Sequence, residues 1–223
     1  MSLLARWRFA QGLRALGKTA SPALAGYASA DWPPPVTPAR DAPYLALDFE
    51  LDGLARGAHL LQAGWTPFEG RLVRLDRAEA HDIRSHARLD SKAVTIHGIG
   101  EERAVRGQPL GDVIAALIEA SAGRIVIAHA AAIERRALGE AVSRLWGVRL
   151  PVRAICTLTL EKRLEPNLTG GEAYRLGPAR ARYGLPEYAA HDALSDAIAA
   201  AELFQAQLTR LPESTTLADL ELR

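Results

Sequence analysis

The sequence contains a single cysteine, Cys156, in 223 residues. One thiol excludes an internal disulfide and any multi-cysteine zinc site, and it fits a reducing, cytoplasmic setting. Cys156 lies in the apolar run 152–158, where a small core residue is the favoured reading. Long apolar runs are missing as well: nothing approaches the roughly 20 residues a membrane-crossing helix needs. Arg6 and Arg8 interrupt the apolar stretch that a secretory signal would require. Charge of one sign is also lacking, since 27 Lys and Arg against 26 Asp and Glu leave a net charge of +1. That balance argues against coating long duplexes through a broad basic face. It remains compatible with an enzyme that grips a few phosphates locally. No internal repeat is present.

The chain divides into three parts. Residues 1–42 read as an N-terminal extension: a basic amphipathic segment with Arg6, Arg8, Arg14 and Lys18, favoured as a helix packed on the domain over a membrane-surface or targeting segment, then a stiff linker around Trp32-Pro33-Pro34-Pro35 and Pro38. Residues 43–211 carry the pattern of one α/β domain, and 212–223 form a polar tail. Apolar runs predict strands at 44–50, 60–67, 71–75, 125–128 and 152–158, with a turn at Glu69-Gly70 joining the second and third as a hairpin. Helical spacing fits 110–120, 131–146, 159–164, 175–183 and 193–211. A hairpin followed by alternating strands and helices predicts a mixed five-stranded sheet flanked by helices. The 110–120 helix serves as a crossover that leaves the fourth strand parallel to the first. Ligands of such sheets bind near the carboxyl ends of the strands.

Three clusters carry chemistry. Asp48 and Glu50 are two apart on a predicted strand, so both carboxylates face the same way. Like charges on an apolar strand need compensation, which a hard divalent cation with oxygen ligands would supply. A solvated pair on an edge strand is the alternative. Glu134 follows the turn His129-Ala130-Ala131, one turn inside a helix, and by itself also suits a surface ion pair. His191-Asp192-Ala193-Leu194-Ser195-Asp196 opens the last long helix. Asp192 suits an N-cap, Asp196 lies a turn further in, and His191 beside carboxylates suits a general base.

Taken together the clusters resemble the DnaQ-like (DEDDh) 3′→5′ exonucleases, which include the proofreading epsilon subunit of bacterial DNA polymerase III. The family's Phe-Asp-x-Glu-Thr-Thr-Gly-Leu is matched by Leu47-Asp48-Phe49-Glu50-Leu51-Asp52-Gly53-Leu54. Its His-Asn-Ala-x-Phe-Asp is matched by His129-Ala130-Ala131-Ala132-Ile133-Glu134. Its His-x-Ala-x-x-Asp-Ala is met in full by His191 to Ala197. Ile96-His97-Gly98-Ile99 resembles the family's recurrent His-Gly-Ile turn. The resemblance implies a ribonuclease H-like fold and two magnesium or manganese ions held by Asp48, Glu50, Glu134 and Asp196. It implies His191 as general base and release of nucleoside 5′-monophosphates from 3′ ends of single-stranded DNA or RNA. Substrate contacts fall, by the same resemblance, on Leu51, Asp52, Gly53, Leu54 and His97, while His129 is open between substrate approach and a structural role; Arg175, Arg180 and Arg182 suit a solvated helix face, with phosphate contact as the alternative. A polymerase or regulatory protein is a further expected partner for residues 1–42. A non-catalytic module binding nucleic acid or a nucleotide is the rival reading. Two departures stand out: Glu134 replaces the usual aspartate, and Leu51-Asp52 replaces a threonine pair.

Overall fold

A computed structural model describes residues 3–53, 55, 57–87, 89, 94–95 and 98–222. Six strands form one mixed sheet: β1 (Pro43–Leu51), β2 (Leu60–Glu69), β3 (Leu72–Val73), β4 (Glu79–Asp82), β5 (Ile125–Ala128) and β6 (Ala154–Cys156). The order is β3-β2-β1-β5-β6, and β4 pairs with β2 alongside β3. β1 is antiparallel to β2 and parallel to β5, and β5 is parallel to β6. The central apolar strands, β1 and β5, therefore have neighbours on both edges, as their nearly unbroken hydrophobic sequence requires.

The expected hairpin forms, with Gly70 in the left-handed region (φ +54) turning β2 into β3. β3 is far shorter than the predicted 71–75. A 3-10 turn at Leu75–Arg77 ends it, and β4, which the sequence did not reveal, takes over the edge of β2. β4 reads Glu-Ala-His-Asp and has no fully buried residue, so it lacks the apolar signal of a core strand. Likewise β6 spans three residues of the predicted seven, because α6 (Thr157–Leu164) begins directly after it; Cys156 is buried, and its Sγ accepts the Thr159 N–H.

The helices cover both faces. The side of β1 that bears Leu45, Leu47 and Phe49 packs under α4 (Leu110–Ser121) and α5 (Ala132–Trp146), with Val113, Ile114, Leu117, Leu138 and Val142 in the shared core. The opposite side, with Tyr44 and Ala46, packs on α8 (Ala193–Thr209) through Ala197, Ala201 and Phe204. Tyr44 stacks on Phe68 at 5.0 Å and meets Phe204 edge-on at 5.1 Å. α3 (Glu101–Val105) and α7 (Leu176–Arg182) are shorter peripheral helices.

The basic segment forms the expected packed helix, and the stretch after it and the C-terminal residues are more ordered than their composition suggested. Residues before β1 include α1 (Leu3–Leu16) and α2 (Pro22–Ser29), the latter started by a proline that needs no hydrogen-bond partner there. α2 buries Leu24 and Tyr27 in the α4 core, and the Tyr27 hydroxyl donates to Pro151 O at 2.7 Å. The last dozen residues, expected as a polar tail, contain α9 (Leu217–Leu220), whose Leu217 and Leu220 complete the α8 core. Glu221 and Arg153 form a buried, two-pronged ion pair. Polar composition concealed this because the two leucines and one charge pair, rather than a hydrophobic stripe, dock the segment.

One position governs how α8 meets the sheet. Gly64 on β2 lies opposite Asp48, and a Cβ there would come within 2.2 Å of the Leu194 amide nitrogen and 2.3 Å of the Ala193 carbonyl carbon. Backbone cannot swing aside as a long side chain does, so only glycine permits this approach. Gly64→Ala is therefore expected to destabilise the fold by at least the ~1–3 kcal/mol typical of overpacking, read as a lowered denaturant midpoint. An unchanged midpoint would mean that α8 does not rest on β2 at this point.

Candidate active site

Asp48 and Glu50 stand at the carboxyl end of β1, on the face that α8 covers. β5 runs parallel beside β1, so its own carboxyl end delivers the turn at 129–131 and the first turn of α5 to the same rim of the sheet. α8 starts over β2 there and brings Asp196. Sites far apart in sequence thus converge because three elements end at one edge.

Electrostatics report the convergence. Burial, then the charges of Glu134, Asp196, Glu50 and Asp192, hold the Asp48 carboxyl well above the usual carboxylate range. Burial, Asp196 and Asp192 push Glu50 up to about 7. Burial pushes Glu134 up to about 8, and Asp196 is raised chiefly by burial. One ligand atom from each of Glu50, His191 and Asp196 lies within 4.8 Å of the others. Glu134 is 4% exposed, and its Oε2 is buried with no hydrogen-bond partner. A buried carboxylate oxygen left bare is costly, and beyond the pull of the Arg136 charge a bound cation would compensate it. The donor set, mostly carboxylate oxygens, fits magnesium or manganese.

The third cluster is held by the protein's own hydrogen bonds. The Asp192 side chain caps α8 by accepting the Ser195 N–H at 3.0 Å. Asp196 Oδ2 accepts the His191 N–H at 2.7 Å, and Oδ1 accepts the Tyr188 hydroxyl at 2.8 Å. His191 is exposed, with φ +66, and Ala130 at the second cluster has φ +68. These two are the only non-glycine residues in the left-handed region among the described residues, at a cost of roughly 1–2 kcal/mol each. Both precede a helix that carries a site carboxylate, where strain of this kind tends to collect.

A comparison with protein families matches residues 45–204 to the RNase_T exonuclease family. The chain belongs to this exonuclease family. The solved structures agree on the fold. Cell-death related nuclease 4 (CRN-4) superposes with a TM-score of 0.64 at 16% identity, over 77% of this chain and 65% of that one. Exonuclease X in complex with 5′ overhanging duplex DNA gives 0.60 at 22% identity, over 79% and 98%. E. coli Exonuclease I in complex with a 5cy-dT13 oligonucleotide gives 0.64 at 14% identity, over 78% and 42%. The chain thus spans only part of the first and third relatives. No curated protein sequence matches it.

Several residues of this exonuclease domain differ from their sequence reading. Arg180, read with Arg182 mainly as a solvated face with phosphate contact as the alternative, is an internal brace, whereas Arg182 stays exposed. Arg180 is buried, pairs with Glu202 at 2.7 Å and donates to Ala199 O and Pro186 O. Arg182 pairs with Glu161, itself fully buried. Arg175 does remain at the surface, paired with Glu172. His129 donates from Nε2 to Tyr174 O and accepts the Thr157 hydroxyl at Nδ1, and burial lowers its pKa to about 4. It is a neutral cross-link.

Of the residues expected to touch substrate, Leu51 packs on the core, and Asp52 Oδ1 accepts the His59 N–H at 2.7 Å across the strand end. Gly53 follows on the surface loop. Leu54 and His97 lie outside the described residues.

Two positioning residues escaped the sequence reading. Tyr188 lies in a stretch without regular structure, where its hydroxyl meets Asp196 and its ring lies under the Arg180 guanidinium. Gln62 Oε1 accepts the Ala193 N–H at 2.9 Å, and its Nε2 donates to Asp82 Oδ1 at 3.2 Å. Arg103 in turn holds Asp82 with two N–H bonds of 2.7 Å. A polar residue and a glycine in an otherwise apolar β2 were the available signals.

The raised carboxylates make stability pH-dependent. A glutamate normally loses its proton near ~4.3, whereas folded Glu50 and Glu134 hold theirs to about 7 and about 8. Between those limits the native state binds more protons than the unfolded chain, so stability falls as pH rises. Metal-free protein is expected to show a melting temperature that declines from about pH 5 to 8. A divalent cation should raise it most at the alkaline end. A flat profile in chelator would mean that these carboxylates do not share one site.

Proposed function

We propose that this chain is a metal-dependent 3′→5′ exonuclease that releases nucleoside 5′-monophosphates from the ends of single-stranded nucleic acid. The observation that carries this reading is the gathering of Asp48, Glu50, Glu134 and Asp196 at one sheet edge, with raised pKa values, a bare Glu134 oxygen and His191 at the rim. Asp48, Glu50 and Asp196 would hold one divalent cation, and Glu134 with Asp48 the second. Bound there, magnesium or manganese would neutralise the carboxylates and stabilise charge building on the phosphate during cleavage.

The protein's own groups do the rest. Exposed His191 takes the proton from the attacking water, and its backbone N–H bond to Asp196 fixes where the ring starts from. Tyr188 holds the other Asp196 oxygen, so that carboxylate has one orientation. By the family resemblance, Leu51, Gly53, Leu54 and His97 would contact the terminal nucleotide. Asp52, turned toward His59, shapes that loop. Glu134 would reach the site with one methylene more than aspartate, and its burial supports an inward-pointing arm. Relatives of this fold bound to an oligonucleotide and to overhanging DNA support a nucleic-acid substrate.

The test is digestion of 5′-end-labelled single-stranded DNA and RNA with magnesium or manganese. The label should persist on progressively shorter strands, with 5′-monophosphates as product, and excess chelator or Asp48→Asn should abolish the ladder. His191→Ala should lower turnover about 10²–10⁴-fold with little change in binding. Cleavage undiminished in chelator, or label released at the first cut, would overturn the reading.

A further inference from the structure

Two arginines are buried among the described residues, Arg153 and Arg180, and only the second has contacts that lead toward the carboxylate cluster. The Arg180 side chain leaves α7 and reaches two further elements. Its Nη1 donates to Ala199 O of α8 at 2.8 Å and pairs with Glu202 at 2.7 Å. Its Nη2 donates to Pro186 O at 3.1 Å, and the guanidinium lies over the Tyr188 ring, 5.0 Å from the centroid. Nε is buried and has no partner. The ion pair is lopsided, because the Arg180 side chain is 3% exposed while that of Glu202 is 40% exposed. The cation gives up its water and the acid keeps much of its own. An apolar side chain of similar volume would fill the space between α7 and α8 at a smaller desolvation cost. What it could not do is hold a loop carbonyl and a phenol ring at once.

The loop so held is the one that enters the site. It runs from Gly184 to Asp192 and carries Tyr188 and His191. Among the described residues, the backbone of 186–190 makes one hydrogen bond, the one from Arg180. Leu185 and Tyr188 add apolar contact with the cluster of Leu176, Ala179, Ala199 and Leu203. Further along, Tyr188 and the His191 N–H meet the two oxygens of Asp196. Ala199 lies three residues past Asp196 and therefore on the same side of α8. Arg180 and Tyr188 thus fasten the loop to one stretch of that helix.

We infer that Arg180 is a positioning residue: it pins the 184–192 loop so that Tyr188 and His191 meet Asp196 in one geometry. The pin itself rests on hydrogen bonds and ring contact, and its consequence rests on the proposed cation site. With the pin lost, Asp196 would turn more freely and hold its share of the cation more weakly. His191 would lose its fixed starting point at the rim.

Two readouts test this in protein stripped by chelator. Manganese uptake is followed from the electron paramagnetic resonance signal of the free ion. Amide deuterium exchange is followed by mass spectrometry in the peptide spanning 185–192. Arg180→Met keeps the bulk and removes every donor. Arg180→Lys keeps the charge but cannot reach Pro186 O, Ala199 O and the Tyr188 face together. Both variants should speed exchange in that peptide on the order of tenfold. Both should also weaken manganese binding about tenfold, the lower end of the range for groups that orient a metal ligand. Tyr188→Phe should weaken manganese to a similar degree. The double variant with Arg180→Met should be no weaker than the worse single one, since the arginine acts through the tyrosine. Glu202→Gln, which removes the more exposed partner, should move neither readout.

Unchanged uptake and exchange in Arg180→Lys, or losses that multiply in the double variant, would overturn the pin. Equal losses in Glu202→Gln would assign the effect to the ion pair and overturn it as well. Should Arg180→Met fail to fold, the lysine variant and Tyr188→Phe carry the same test. A wild-type protein that takes up no manganese would remove the cation site, whereas the exchange result would still decide the pin.

Discussion

Mutual repulsion among four carboxylates at one edge of the sheet is the constraint around which this protein is arranged. Asp48 takes the field of Glu134, Asp196, Glu50 and Asp192 in a poorly solvated setting. Without a cation the cheapest response is to keep protons that free carboxylates would have lost. A fold that gathers such groups gives up stability at neutral pH, and recovers it only when positive charge arrives. Ordinary packing offers no reason for the arrangement, whereas hydrolysis of a phosphodiester does.

The scaffold is built to hold that repulsion in place. Each charged residue stands on an element anchored elsewhere by apolar contact: β1 between two hydrophobic layers, α5 through Leu138 and Val142, α8 through Ala201 and Phe204. Where α8 begins, control is finer. The missing side chain at Gly64 lets the helix touch the sheet, Gln62 receives its first free N–H, and the Asp82–Arg103 pair steadies Gln62. Left-handed backbone at Ala130 and His191 turns the chain into the two helices that carry Glu134 and Asp196. The family motif quoted above has asparagine where Ala130 stands, a residue that adopts this conformation more readily. Alanine there keeps the turn at a higher conformational cost.

Much of this was legible in the sequence because the signals are local. A two-residue carboxylate spacing on an apolar strand, a small-residue turn before Glu134 and a capped helix start each identify a place and a direction. Their order along the chain implies that they meet, and the sheet topology brings them to one edge. What escaped is what depends on distant partners. Tyr188 has no periodic context, β4 has no apolar face, and Arg180 looks like a surface residue until Glu202, Ala199 and Pro186 are found around it. The ends of the chain were under-read for a related reason. α2 and α9 dock through a few side chains each, chiefly Leu24 and Tyr27 for one, Leu217 and Leu220 for the other, too few for a hydrophobic pattern to emerge.

The proposed reaction depends on the carboxylates acting as one cation site. Titration of the chelator-stripped protein with manganese, followed by the electron paramagnetic resonance signal of the free ion, counts bound ions directly. Saturable uptake of two ions per chain at pH 7.5, with Asp48→Asn losing both and Glu134→Gln losing one, is the result expected. Manganese uptake that is unsaturable, or the same in all three proteins, would contradict a shared metal centre.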